Sequence, residues 1–233
     1  MGAMPAAFWD ALPGDAQEAL EHAGTVALIR PGAFLAREHT RSTNVYVLRS
    51  GAAKVWVDRD DESVILDVLG PGDLVGEMEI ADGGERYANV EALSRVEALA
   101  LPGDRFRVVL SGHPAAIWAL TAVLSEKLRD ADDLRTAHYP DAPGRRLASR
   151  LRRLAERFGT PVATGGLVVR IPLCQRDLGR WAGMSRRKVA QLLARERLGD
   201  GIVVTRTAIT LRSPEVLDRL AGDDPDGYLA DTG

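Results

Sequence analysis

Arg186, Arg187, Lys188 and Gln191 are the residues whose types and spacing speak most directly to chemistry in this chain. They lie in the run Asp177-Leu-Gly-Arg-Trp-Ala-Gly-Met-Ser-Arg-Arg-Lys-Val-Ala-Gln-Leu-Leu193. An arginine fork matches the paired acceptors on a guanine edge, and a glutamine amide matches adenine. Ser185 is a good N-cap, so Arg186, Arg187 and Gln191 sit in the first turns of a helix that fits a DNA major groove. Leu178 and Trp181 supply the apolar face of a preceding short helix, and Val189, Leu192 and Leu193 that of this one. Ala182 and Gly183 leave room for a tight turn between them. Lys188 lies off the reading face and, like Arg206 further on, is better placed for phosphates. The alternative is an ordinary αα-hairpin with basic residues facing solvent.

Other reactive side chains carry less. Cys174 is the one cysteine, which excludes an intrachain disulfide framework and a four-cysteine metal site. It reads as a small, partly buried thiol rather than a redox switch. His22, His39, His113 and His138 show no metal spacing, so no metal is expected. Asp60-Asp61-Glu62 falls between two strand-like runs and reads as a solvated turn, and Asp132-Asp133 lies on a helix. With no nucleophile elbow, phosphate-cleaving glycine loop or His-Glu metal motif, the chain is not expected to be an enzyme.

Charge is distributed unevenly. The 233 residues carry a net charge of −3. Residues 1–139 hold 13 Lys and Arg against 22 Asp and Glu, residues 140–215 hold 16 against 6, and residues 216–233 hold 1 against 5. The middle block, at +10, can neutralise phosphates and release their counterions, which an acidic domain cannot do. A solvated arginine-rich surface is the other reading of the same composition. The chain is 45% hydrophobic and 27% charged, as globular domains are. No run of about 18 apolar residues suggests a membrane span, Met1 to Leu12 lacks the basic start of a signal peptide, and a cytoplasmic location is expected.

The elements that must position these residues follow from periodicity. After a helical start near Ala6–His22 come β-type runs at Thr25–Ile29, Val45–Leu48, Ala53–Val57, Val64–Val68, Asn89–Ala92 and Val96–Leu101. Pro31-Gly32, Pro71-Gly72 and Pro102-Gly103 punctuate them, with proline presetting φ and glycine supplying a positive φ. Short strands so spaced predict an antiparallel sandwich or barrel. From Pro114 to about His138 apolar residues step by three and four through Ile117, Leu120, Leu124, Leu128, Ala131 and Leu134, predicting a helix of roughly 37 Å. Spare apolar surface on such a rod suits pairing with its twin through Ile117, Leu120, Leu124, Leu128 and Leu134. The other possibility is a core helix lying flat on the roll. Pro140 and Pro143-Gly144 predict a hinge. Beyond it are expected a helix at Arg145–Phe158, a strand at Leu167–Ile171, helices at Gln175–Ala182 and Ser185–Leu198, a hairpin of Ile202–Thr205 and Ala208–Leu211, and a frayed acidic tail.

Over residues 20–212 this order resembles the family of the cyclic AMP receptor protein and the fumarate–nitrate reductase regulator. Two motifs carry the resemblance: Gly179 through Val189, and Gly72-Asp73-Leu-Val-Gly76-Glu77-Met78 followed by Arg86, Ala88 and Val90. The second is similar to the family's phosphate-binding cassette, in which the glutamate holds a ribose hydroxyl and the arginine pairs with a cyclic phosphate. The ligand-facing set so implied is Gly76, Glu77, Met78, Arg86, Tyr87 and Ala88, with Lys127, Ala131 and Asp132 from the long helix. An arginine fork suits phosphate, and a carboxylate accepts both hydrogen bonds of a diol. A Glu77–Arg86 ion pair that merely ties the loop to the roll is the alternative. Tyr87 stands where the family's cyclic AMP binders have Ser or Thr, and Ala131 and Asp132 stand where they read adenine. Asp132 better suits the two N–H donors of guanine.

The resemblance implies an α+β chain built from an N-terminal jelly-roll of eight strands in two sheets, a long dimerisation helix and a C-terminal winged helix-turn-helix. The expected divisions are 1–112 for the effector roll, 113–139 for the dimerisation helix, 140–144 for the hinge, 145–215 for the DNA-binding domain and 216–233 for the tail. The implied function is a sequence-specific transcription regulator that acts as a homodimer on near-palindromic double-stranded DNA alongside RNA polymerase. Its effector would be a cyclic nucleotide, cyclic AMP being less favoured than a guanine nucleotide, with ligand-independent action also open. A regulatory module acting through protein partners is the rival function.

Overall fold

The computed structural model describes residues 7–59, 62–136, 143–163, 165–197, 201–213 and 215–222, and side chains at 130, 131, 133–136 and 195–197 lie outside that description. The chain divides into two compact units, with the main division between Asp133 and Leu134.

The first unit begins with α1 (Gly14–Ala23), which starts only after Pro13 because the Pro-Gly pair prevents the expected earlier start. The strands are β1 (Thr25–Ile29), β2 (Phe34–Ala36), β3 (Asn44–Ser50), β4 (Ala53–Arg59), β5 (Glu62–Leu69) and β6 (Leu74–Val75). A short helix α2 (Glu77–Asp82) precedes β7 (Asn89–Ala92) and β8 (Val96–Pro102), after which α3 (Gly103–Gly112) leads into α4 (Pro114–Thr136). The eight strands form two four-stranded sheets, ordered β1-β8-β3-β6 and β2-β7-β4-β5. At the centre of the first, Val45 faces Leu101 and Val47 faces Leu99 across an antiparallel ladder. Their alternation buries one apolar face against Leu20 of α1 and Phe106 and Val109 of α3. A second core of Leu35, Leu48, Leu69, Val90 and Val96 lies between the sheets' inner faces.

Gly32 and Gly72 adopt φ of +78° and +87°, as expected of their Pro-Gly turns. Gly103 has no positive φ. A Cβ there would lie 2.2 Å from Cδ1 of Ile80 and 2.5 Å from the carbonyl of Thr43, so this glycine supplies space where strand passes into helix.

Helix α4 differs from its expected stripe. Ala116 and Ala119 are buried, and Leu120 and Val123 pack against the roll's core. Ile117 and Leu128 are 46% and 63% exposed, and Leu124 is half-buried. The three- and four-residue steps read from sequence therefore cross two faces. Leu120 belongs to the roll, while Ile117, Leu124 and Leu128 share the other side. The Leu134 and Ala131 side chains lie outside the described residues.

The second unit comprises α5 (Pro143–Phe158), β9 (Gly159–Pro161), β10 (Leu167–Val169), α6 (Gln175–Ala182), α7 (Arg186–Arg197), β11 (Ile202–Val204), β12 (Ile209–Leu211) and α8 (Glu215–Gly222). Pro143 and Gly144, expected in the hinge, open α5 instead, where a proline's missing N–H costs nothing. The rest of that hinge lies outside the described residues. Leu147, Leu151 and Leu154 form the buried face of α5. The sheet is ordered β11-β12-β10-β9. Of the tail expected to fray at 216–233, residues 216–222 belong to α8 instead: Val216, Leu217 and Leu220 are buried, and Asp218 pairs with Arg152 of α5 at 2.7 Å, while 223–233 lie outside the described residues. Burial of three aliphatic side chains offsets the ordering cost that the acidic composition alone would leave unmet.

Candidate ligand cassette and nucleic-acid interface

The cassette is built around a glycine. Gly76 adopts a φ of +88° at the end of β6, and a Cβ on it would meet Nη1 of Arg86 at 2.0 Å. Only glycine satisfies both the backbone and the guanidinium lying against it. The backbone of Arg86 is held from both sides, its N–H donating to the Thr40 carbonyl and its carbonyl accepting from the His39 N–H, each at 2.9 Å. His39 takes a left-handed φ of +61° to make this contact.

Two carboxylates face this region from opposite sides of α2. Glu77 is 3% exposed and forms an ion pair with Nζ of Lys127. Burial disfavours the Lys127 ammonium, but Glu77, Asp67 and Asp73 outweigh it and raise its pKa above the ordinary lysine value. Arg86 is 2% exposed and pairs with Glu79 rather than Glu77, Nη1 to Oε2 at 2.7 Å. Its Nη2 donates to the carbonyl of Asn44, and its buried Nε has no partner among the described residues. The other oxygen of Glu79 accepts the backbone N–H of Tyr87 at 3.0 Å.

Of the residues expected to face a ligand, Gly76, Glu77, Arg86 and Lys127 come together here. Ala88 is buried, whereas the side chains of Met78 and Tyr87 are 43% and 56% exposed and Asp132 is exposed. Ala131 lies outside the described side chains. Glu79 was missed. The signal that finds it is geometric: residues two apart on a helix point to nearly opposite sides, so Glu77 and Glu79 cannot both reach Arg86.

The second site lies on α6 and α7. Gly183 caps α6 in a left-handed conformation, and Gly179 brings the turn so close that a Cβ would lie 2.6 Å from the Met184 carbonyl. Arg146 of α5 donates Nε to the Ala182 carbonyl at 3.0 Å, fixing this turn, and Trp181 is buried beneath it. Ser185 Oγ accepts the Lys188 N–H at 3.2 Å, the cap expected for α7. Val189, Leu192 and Leu193 are buried, which turns Arg186, Arg187 and Gln191 outward as exposed side chains. Lys188 is half-buried, off that face. Beyond α7, Arg206 is exposed in the turn of the β11–β12 hairpin, closed by Thr205 N–H to the Ala208 carbonyl at 2.9 Å. Cys174, the N-cap of α6, is exposed and not partly buried as expected. Its backbone N–H donates to the Asp177 carboxylate at 2.9 Å.

Comparison with known proteins agrees with both units. The cyclic nucleotide-binding domain family matches residues 27–113. A CRP-like cAMP-activated global transcriptional regulator of Mycobacterium tuberculosis is 32% identical over 152 residues, covering 64% of this chain and 67% of that protein. The cyclic AMP receptor protein of Thermus thermophilus is 32% identical over 178 residues, covering 72% and 77%. The structure of FixK2 from Bradyrhizobium japonicum shares the fold, with a TM-score of 0.71 over 84% of this chain and 96% of that one at 20% identity. On the strength of the two sequence relatives, the chain belongs to the CRP/FNR family of transcription regulators.

Proposed function

We propose that this regulator binds near-palindromic double-stranded DNA as a homodimer and takes a nucleotide-like ligand in its roll. The observation that carries the DNA reading is the outward display of Arg186, Arg187 and Gln191, one turn apart on the capped helix α7, beside a hairpin bearing Arg206. A two-fold dimer presents this helix twice, to successive major grooves about 34 Å apart. The side of α4 that carries exposed Ile117 and Leu128 and half-buried Leu124 supplies the dimer seam. Acting on the chromosome, it would work in the cytoplasm with RNA polymerase as its partner.

The ligand reading rests on Glu77 and Arg86. Both are buried beside Gly76, and the buried Arg86 Nε has no partner among the described residues, which leaves a donor for an anion. Glu77 would take a diol and Arg86 an anionic phosphate, with Asp132 on α4 favouring guanine over adenine.

Selection of binding sites from random duplexes, repeated with Arg187→Ala, tests the DNA reading. Recovered sites should show two-fold symmetry, and the variant should lose preference at one symmetric pair of positions. Asymmetric sites or an unchanged preference would overturn it.

A further inference from the structure

We propose that Glu79 is an internal anion that occupies the cassette's phosphate donors, so that a nucleotide enters only by displacing it. The inference rests on the reading of the roll as a nucleotide site and adds the residue that sets its affinity.

An anion held by this cassette needs the Arg86 guanidinium and an adjacent backbone N–H. Both are engaged by one carboxylate: Oε2 of Glu79 accepts from Arg86 Nη1 at 2.7 Å, and Oε1 accepts from the Tyr87 N–H at 3.0 Å. The Glu79 side chain is only 10% exposed and that of Arg86 1%, so water does not weaken the pair much. Arg86 Nε, buried without a partner, leaves the guanidinium with donor capacity that this carboxylate does not use.

A cyclic phosphodiester carries a single negative charge, the same as Glu79. Exchanging one for the other gains no net charge interaction, and the carboxylate has the advantage of being tethered at high effective concentration. Removing its charge therefore exposes Arg86 to the ligand.

The test is calorimetric titration of cyclic AMP and cyclic GMP into the full-length wild type, Glu79→Gln, Glu79→Ala and Glu79→Gln/Arg86→Ala. The glutamine variant keeps a neutral acceptor for Arg86 and guards against misfolding of the alanine variant. At least a tenfold fall in Kd for Glu79→Gln, abolished by the added Arg86→Ala, is the expected result. Wild-type binding that Glu79→Gln and Glu79→Ala leave unchanged or weaken would overturn the proposal and leave the nucleotide reading intact. No binding of either nucleotide to any of the proteins would overturn both.

Discussion

Lys127 reaches from α4 to the buried carboxylate of Glu77 at the start of α2, joining the helix that packs on the roll to the cassette segment. A diol bound as proposed would have to share or displace this ammonium, so occupancy of the cassette and the seating of α4 would draw on one carboxylate.

Lys127→Met strands Glu77 as a buried charge and should destabilise the protein by about 1–3 kcal/mol, the cost of a polar group left unpaired. The lysine is 35% exposed, which puts the effect at the lower end. Adding Glu77→Gln should recover part of the loss. Urea unfolding of the two single variants and the double variant measures the coupling, and strictly additive losses would deny the pairing.

The same lysine gives a pH signature. Its pKa in the folded protein is raised, so its contribution is complete below the ordinary value of 10.5 and is lost as pH rises through the folded value. Melting temperatures from pH 6 to 9 should therefore show nothing from this group. Above pH 10.5 the wild type should lose stability more steeply than Lys127→Met, and parallel curves there would contradict the assignment.

The two sides of α4 should respond differently to charge. Ile117→Glu with Leu128→Glu should give monomers with both units folded, as measured by sedimentation together with circular dichroism. Leu120→Glu should instead lower the roll's melting temperature, because Leu120 packs on the core beside Ala116 and Ala119. A dimer that survives the first pair of changes would move the seam elsewhere.

On DNA, Arg187→Ala should cost about 1–3 kcal/mol on the selected site and relax specificity at one symmetric position. Arg206→Ala should weaken binding to every sequence alike and lower the salt slope by about one. Fluorescence anisotropy across a salt series separates the two outcomes.

The helix-turn-helix was legible almost to the residue because each signal there is local: a serine cap, a glycine C-cap and apolar positions three and four apart. Thr25–Ile29 and Asn89–Ala92 were equally plain as strands. Phe34–Ala36 and Leu74–Val75 were not, since two or three residues carry no alternation. The Ile117–Leu134 stripe, of which Leu120 packs on the roll, was less plain for a different reason. Leu120 and Leu128 are roughly 80° apart around a 3.6-residue helix, so a stripe wide enough to hold both has one edge on the roll and the other exposed. Glu79 was hidden because Glu77, Glu79 and Glu85 all lie within nine residues of Arg86, and only the axis of α2 decides which one turns toward it.

Helix α8 bears on how the second unit can be isolated. Its buried Val216, Leu217 and Leu220 and the Arg152–Asp218 pair cover part of α5, the helix that also fixes the turn before α7. A fragment cut after Leu211 would strip away that cover and present the aliphatic face of α5 to solvent, inviting aggregation however intact α6 and α7 remain. Truncations and affinity tags meant to leave DNA reading untouched therefore belong beyond Gly222.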